Sequence, residues 1–152
     1  MSEHSKPVTP PPANAQSIAE NVGARICATD AVVRSLGITL ESIGPGCARL
    51  QMTVRPDMIN GAGICHGGMI ASLADSAFAF ACNSYNTVTL ATGINVDFLA
   101  PAQLGDVLTA TASEISRTGR TGIYDVVVAN RNNKQVALLR GRCHEIRGKH
   151  VL

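Results

Sequence analysis

Residues His66–Ser84 read HGGMIASLADSAFAFACNS, and apolar side chains fall on nearly every side of the helix that this stretch spells. Met69, Ile70, Ala71, Leu73, Ala74, Ala77, Phe78, Ala79, Phe80 and Ala81 leave it no wide polar face. A helix that is apolar all round belongs inside a protein, not on its surface. At about 19 residues it is short and Ala/Ser-rich for a membrane span, and Asp75 stands in its middle. The remainder of the chain has to wrap this helix.

That remainder supplies strands. The 152 residues suffice for one compact domain and are too few for two. Residues 1–15, with Pro7, Pro10, Pro11 and Pro12, read as an extended or disordered tail, and 16–152 as a single domain. Ile18, Val22, Ile26, Val33 and Leu36 recur at helical steps from Ala15 to Leu36, with breaks expected at Gly23 and Thr29-Asp30 and a C-cap at Gly37. Strands follow at Ile38–Ile43 and Cys47–Arg55, joined by Gly44-Pro45-Gly46. In the second, Leu50, Met52 and Val54 alternate with Arg49, Gln51, Thr53 and Arg55. Pro56–Cys65 reads as a loop. After the long helix come strands at Thr89–Leu99, Leu104–Ser116, Gly122–Asn130 and Gln135–Ile146, with turns at Arg117–Arg120 and Asn132-Asn133. Short turns make antiparallel neighbours. The fold class is therefore α+β: an antiparallel sheet of about six strands curled around one long buried helix. A single sheet leaves edges open, and pairing edge to edge with a second copy is the simplest remedy.

Composition removes several functions. The net charge of +2 gives no electrostatic case for nucleic acid. Aromatics are 3% and Trp is absent, which leaves no stacking platform for bases. The N-terminal residues contain no apolar stretch of a secretory signal, and no membrane span is expected. Five widely spaced cysteines form no C-x-x-C pair, so neither a disulfide framework nor a zinc ribbon is expected, and a reducing, cytoplasmic setting is. No metal site is expected.

Three features carry chemistry. Asp75 is a carboxylate among Leu73, Ala74, Ala77 and Phe78. An unpaired buried carboxylate is costly, so it is either satisfied locally, by Ser72 or Ser76, or held for work. Ile64-Cys65-His66-Gly67-Gly68 meets the start of the long helix, where N–H groups lack acceptors and carry the positive end of the dipole. This is either a glycine-rich helix entry capped by His66 or an oxyanion hole using the Gly67 N–H, with His66 orienting a carbonyl. Asn60 is either an ordinary Asn-Gly turn residue or an amide aimed at a substrate carbonyl or a water. Eight residues of helix separate Gly67 from Asp75 by about 12 Å. One chain therefore cannot bring both to one carbonyl, whereas two chains with antiparallel helices can.

The stretches N-G-x-x-x-C-H-G-G at Asn60–Gly68 and L-A-D-S-A-F-A-x-A-C-N at Leu73–Asn83 resemble the hot-dog-fold acyl-CoA thioesterases, and among them the PaaI-like thioesterases of phenylacetic acid degradation. N-V-D-F-L-A-P-A at Asn95–Ala102, G-D-V-L-T-A at Gly105–Ala110, G-R-T-G-I-Y-D at Gly119–Asp125 and V-A-L-L-R-G at Val136–Gly141 extend the resemblance over about residues 30–147. It implies a hot-dog fold and hydrolysis of a phenylacetyl- or hydroxyphenylacetyl-type coenzyme A thioester. Asp75 would be general base or nucleophile, Gly67 the oxyanion donor, and Asn60 and His66 would position the carbonyl or water, with Gly68 beside the substrate. It further implies active sites at the interface of a homodimer, assembled as a dimer of dimers. Some relatives place a hydroxyl across the site; the nearest match here is Ala91, with Thr92 adjacent as the candidate.

No cofactor is needed, because the thioester is itself reactive and thiolate leaves readily. Eight of the 13 Lys and Arg residues lie from Arg117 onward, against Asp125 and Glu145 only, so Arg117, Arg120, Arg140 and Arg142 are candidates for the phosphates of coenzyme A. Met58, Ile59, Met69 and Phe78 are the expected acyl-pocket lining. Three other readings compete: a non-catalytic module that senses acyl-CoA, a Cys65/His66 nucleophilic enzyme, and a dehydratase. The first has no need of a buried carboxylate. The second lacks an orienting third group. The third would want a His within the buried helix.

Overall fold

A computed structural model describes residues 13–152. The expected N-terminal tail lies outside these residues up to position 12, and its last residue, Ala15, already opens a helix. The elements run α1 (Ala15–Thr29), α2 (Ala31–Ser35), β1 (Thr39–Gly44), β2 (Cys47–Thr53), a short 3₁₀ turn at Pro56–Met58, α3 (Gly67–Asn83), β3 (Thr87–Phe98), β4 (Val107–Thr118), β5 (Thr121–Ala129) and β6 (Gln135–His150). The six strands form one antiparallel sheet in the order β1-β2-β4-β5-β6-β3, so β1 and β3 are its edges.

The first helical segment breaks at one of the two expected places. Asp30 ends α1 and caps α2, its Oδ1 accepting from the N–H groups of Val32 (2.9 Å) and Val33 (3.0 Å). Gly23 stays inside α1. It is there for clearance: a Cβ at this position would stand 2.8 Å from Leu40 Cδ2 and 3.2 Å from Ile43 Cγ2, so α1 lies close on β1. Gly37 follows α2 at φ +66° as the expected C-cap, and the Ile38 N–H returns to the Val33 carbonyl.

Alternation on β2 is as read: Leu50, Met52 and Val54 are buried while Arg49 and Thr53 face outward. Leu108, Ala110 and Ala112 of β4, Tyr124, Val126 and Val128 of β5, and Ala137, Leu139 and Cys143 of β6 continue the inner face. Strand ends differ by a few residues. β4 begins at Val107, not Leu104, because Gly105 at φ +85° and an Asp106 Oδ2 bond from the Gln103 N–H make a turn there. β6 runs on to His150, held by pairing with Thr87 of β3.

α3 lies across this inner face and touches all six strands. Phe78 is the central wedge, its ring 5.6 Å from that of Tyr124 and tilted by 52°. The buried Tyr124 hydroxyl donates to Glu114 Oε2 at 2.7 Å, which satisfies the one polar atom it brings into the core. The sheet does not close around the helix. Gly68, Ala71, Ser72, Asp75, Ala79 and Asn83, spaced three or four apart, remain partly exposed along one stripe of α3. The expectation of a carboxylate sealed in the core is thus corrected: within one chain Asp75 is half-buried, on the side of α3 the sheet leaves open.

Candidate active site

The two ends of α3 carry two separate pockets. At the N-terminal end, Asn60, Ile64, Cys65, Gly67, Ile70, Phe98, Leu99, Ala100 and Pro101 line one of about 440 Å³. Further along the helix, Asp75 opens into another of about 310 Å³, with Ile26, Asp30, Phe78, Ala79, Cys82, Asn83, Thr89, Leu90, Ala91 and Val151. No residue belongs to both. Asn60 and Gly67 are thus brought together; the exposed His66 is not among the lining residues, and Asp75 of the same chain is not either, as the helix length requires.

Local hydrogen bonding decides which groups remain available. His66 is the N-cap of α3, its Nδ1 accepting from the Gly68 N–H at 3.0 Å. The accepting nitrogen bears no proton, so neutral His66 carries its N–H on Nε2. The cap also consumes the Gly68 donor. The Gly67 N–H has no acceptor among the described residues. Phe98 lies over Gly67, and a Cβ there would stand 2.9 Å from the ring. Asn60 folds its own loop: Oδ1 accepts from the Ala62 N–H (2.9 Å) and the Ile64 N–H (3.3 Å). That fixes the amide plane and leaves Nδ2 with no acceptor among the described residues. A main-chain N–H and an amide NH₂, both without an acceptor among the described residues, thus belong to residues lining one pocket.

Asp75 has no side-chain hydrogen bond among the described residues. Ser72, the local partner that would have made it structural, gives its hydroxyl to the Gly68 carbonyl at 2.8 Å instead. Burial pushes the Asp75 carboxyl above the usual carboxylate range, and the negative charge of Asp30 adds to this. A desolvated carboxylate with no hydrogen bond is a better proton acceptor than a solvated one. Cys65 is the opposite case. Its buried thiol points at the His66 carbonyl, and burial with the charge of Asp106 raises its pKa, which disfavours thiolate.

The other expected residues separate. Thr92 is exposed and falls in the β-bulge between Ala91 and Gly93; Ala91, not Thr92, lines the Asp75 pocket. Arg117 stacks on Tyr85, 4.1 Å from the ring centroid, and reaches Glu145 at 3.3 Å. Arg117 and Arg120 stand beside Cys82 and Thr89, which also line the Asp75 pocket. Arg140 lies on the outer face of the sheet, bound to both oxygens of Asp125 at 2.7 Å, and is not brought to either pocket. Met58 is fully buried in the core and Met69 lines neither pocket; of the expected lining, Phe78 is in place. Sequence reasoning missed Ile26, Asp30, Leu90 and Phe98. Asp30 carries a usable signal, an Asp immediately before a short apolar helix, which marks an N-cap as well as a break.

A hot-dog sheet around a central helix, with an unpaired carboxylate on that helix and a glycine-lined donor loop at its start, defines a class. The Thioesterase superfamily model matches residues 62–137, and the chain belongs to that family of enzymes. It is 46% identical over 119 residues to the acyl-coenzyme A thioesterase PaaI of Escherichia coli K12, covering 78% of this chain and 85% of that protein. The solved structure of the E. coli PaaI protein from the phenylacetic acid degradation operon superposes with a TM-score of 0.87 at 41% identity, over 89% of this chain and 98% of that one. A mutant of the phenylacetic acid degradation protein PaaI from Thermus thermophilus superposes with a TM-score of 0.74 at 33% identity, over 77% and 100%.

Proposed function

We propose that this protein hydrolyses an acyl-CoA thioester, with an aryl-acetyl group (phenylacetyl or hydroxyphenylacetyl) as the acyl portion, at sites shared between two subunits. The observation that carries the reading is Asp75: a desolvated carboxylate without a hydrogen-bond partner, open to a pocket with the apolar walls Ile26, Phe78 and Leu90. The likeness to PaaI, by name an acyl-coenzyme A thioesterase, supports the substrate class, and the phenylacetic acid degradation operon of that protein supports the aryl-acetyl group.

The pairing follows from the edge strand. β3 has no neighbour on one side, and its inward-facing Ile94 and Phe98 are 42% and 54% exposed. Two β3 strands running antiparallel about Ile94 would bring the Leu90–Ala91 stretch of one toward Phe98 of the other, the bulge at Ala91–Gly93 shifting the register by a residue. The wall of the Asp75 pocket then meets the partner's Phe98, which lies beside Gly67. In that dimer the thioester oxygen takes hydrogen bonds from the Gly67 N–H and Asn60 Nδ2 of one subunit, with His66 orienting the carbonyl. Asp75 of the other removes a proton from water as the water oxygen bonds to the carbonyl carbon; it serves equally in geometry as a direct nucleophile. The C–S bond then breaks, and coenzyme A leaves as the thiolate and takes up a proton. Gly68, whose N–H is taken by the His66 cap, and the exposed Thr92 line neither pocket and are given no substrate contact. Arg117 and Arg120 share an adjoining small pocket with Cys82 and Thr89 of the Asp75 pocket, so they are preferred over Arg140 for the phosphates of coenzyme A.

Thioester chemistry of this kind needs no cofactor or metal. The five thiols are all free, which supports a cytoplasmic setting, and no described helix is long and apolar enough to cross a membrane. The assembly is extended to a dimer of dimers, a mass that light scattering reads directly. Thiol release from a panel of acyl-CoAs, with Asp75→Asn as control, tests the function. Preferred cleavage of aryl-acetyl-CoA that Asp75→Asn abolishes is the expected result. Binding of acyl-CoA without thiol release would make the protein a sensor instead.

A further inference from the structure

We propose that Asp30 is a positioning residue for hydrolysis, its carboxyl group pinned by the α2 cap in the pocket it shares with Asp75. The inference rests on the reading of Asp75 as the base. Asp30 lies at the junction of α1 and α2, far from Asp75 in sequence, yet the two carboxylates line one pocket. One Asp30 oxygen serves the local fold, because Oδ1 accepts both the Val32 and the Val33 N–H and so pins the side chain. The other oxygen has no hydrogen bond among the described residues. A cap needs a side-chain oxygen but no charge, and Asn or Ser serves as well as Asp. The surplus in Asp30 is its charge, and Asp30 shares with Asp75 a pocket whose walls are mostly apolar, where a neighbouring charge is screened less than in bulk water.

The remaining groups around Asp75 do not duplicate this. From α1, β3 and the segment after β6 the pocket receives Ile26, Thr89, Leu90, Ala91 and Val151, and from α3 Phe78, Ala79 and Asn83, whose side chains do not titrate in the working range. On α3 itself Cys82 is the one titratable neighbour. Its thiol is pushed far up by the hydrogen bond with Cys143 and by burial, so it stays neutral. In the proposed dimer the partner's His66 is the titratable group of the facing loop. The negative charge of Asp30 raises the proton affinity of Asp75, in the same direction as burial. A carboxylate poised in this way takes a proton from water more readily in the transition state.

The test is the pH dependence of kcat/KM for phenylacetyl-CoA in the wild-type enzyme, Asp30→Asn, Asp30→Ser and Asp30→Glu. The Asn and Ser variants keep a capping oxygen and lose the charge. Their acidic limb should move to lower pH, and their plateau should fall by about twofold to tenfold as the base weakens. Asp30→Glu keeps the charge and should hold its limb near that of the wild type. A capping role alone predicts unshifted limbs in folded Asn and Ser variants, and that result would overturn the proposal. So would a shift to higher pH, or failure of both capping variants to fold. Asp75→Asn, assayed alongside, separates the two layers: retained activity there removes the base itself, whereas an inactive Asp75→Asn with an unmoved Asp30→Asn limb removes only the role of Asp30.

Discussion

Asp57, Asp75 and Asp125 show how one side-chain type is put to different uses. Asp125 grips Arg140 through both oxygens, and Asp57 grips Arg55; in each the cation holds the carboxyl below its usual range. Asp75 has no cation and is pushed the other way. Replacing it with Asn should lower kcat by at least about a hundredfold, the scale of a lost general base, with circular dichroism unchanged. The same change bears on stability. The folded state binds a proton at Asp75 more tightly than the unfolded state does. That contribution is therefore fully present below the unfolded pKa and is lost as pH rises through the higher folded value. At neutral pH the ionised wild-type carboxylate is a burden, and Asp75→Asn should melt at a higher temperature than wild type. The advantage should vanish in acid, below the ordinary carboxylate range. A melting point at pH 7 that is equal or lower would mean Asp75 is satisfied in the folded protein.

Among the elements, α3 and β2 were the most legible, because each states its environment in its own periodicity. The apolar excess of α3 demanded a core and the alternation of β2 named the face that supplies it. What sequence could not carry was contact between distant segments. Gly23 looks like a helix breaker until Leu40 and Ile43 are known to lie against it. Asp30 looks like a break until the pocket beside Asp75 is seen. Arg140 looked free to meet a phosphate, but strand register sets Asp125 directly opposite it. The loop donors were readable as a group, since Asn60, His66 and Gly67 are near in sequence; which of their hydrogen-bonding atoms remained unengaged was not. Gly141 of β6 offers a test at this scale. A Cβ there would stand 2.7 Å from the ring of Phe78, which is 1% exposed and has no room to swing aside. Gly141→Ala should cost about 1–3 kcal/mol in chemical denaturation, the range of overpacked cores. An unchanged midpoint would mean that the helix sits less tightly on β6 than this contact requires.

For the molecule as a whole, the proposed reading divides each site between the Gly67 pocket of one subunit and the Asp75 pocket of another. Mixing inactive Asp75→Asn with an inactive Asn60→Ala should form mixed dimers in which one of the two sites carries both intact halves. Recovered thiol release after co-refolding is the expected result, and none would contradict a shared site. Ile94→Lys at the centre of β3 should give monomers by light scattering together with loss of activity, since a charge there opposes pairing. Active monomers would remove the proposed pairing altogether.

On the proposed pairing at the β3 edge, catalysis becomes a question of concentration. Below the dissociation constant, turnover per chain should climb in proportion to the amount of enzyme, so that total rate grows with its square. Scarcity would then silence each copy beyond merely reducing their number, and abundance alone would act as a throttle.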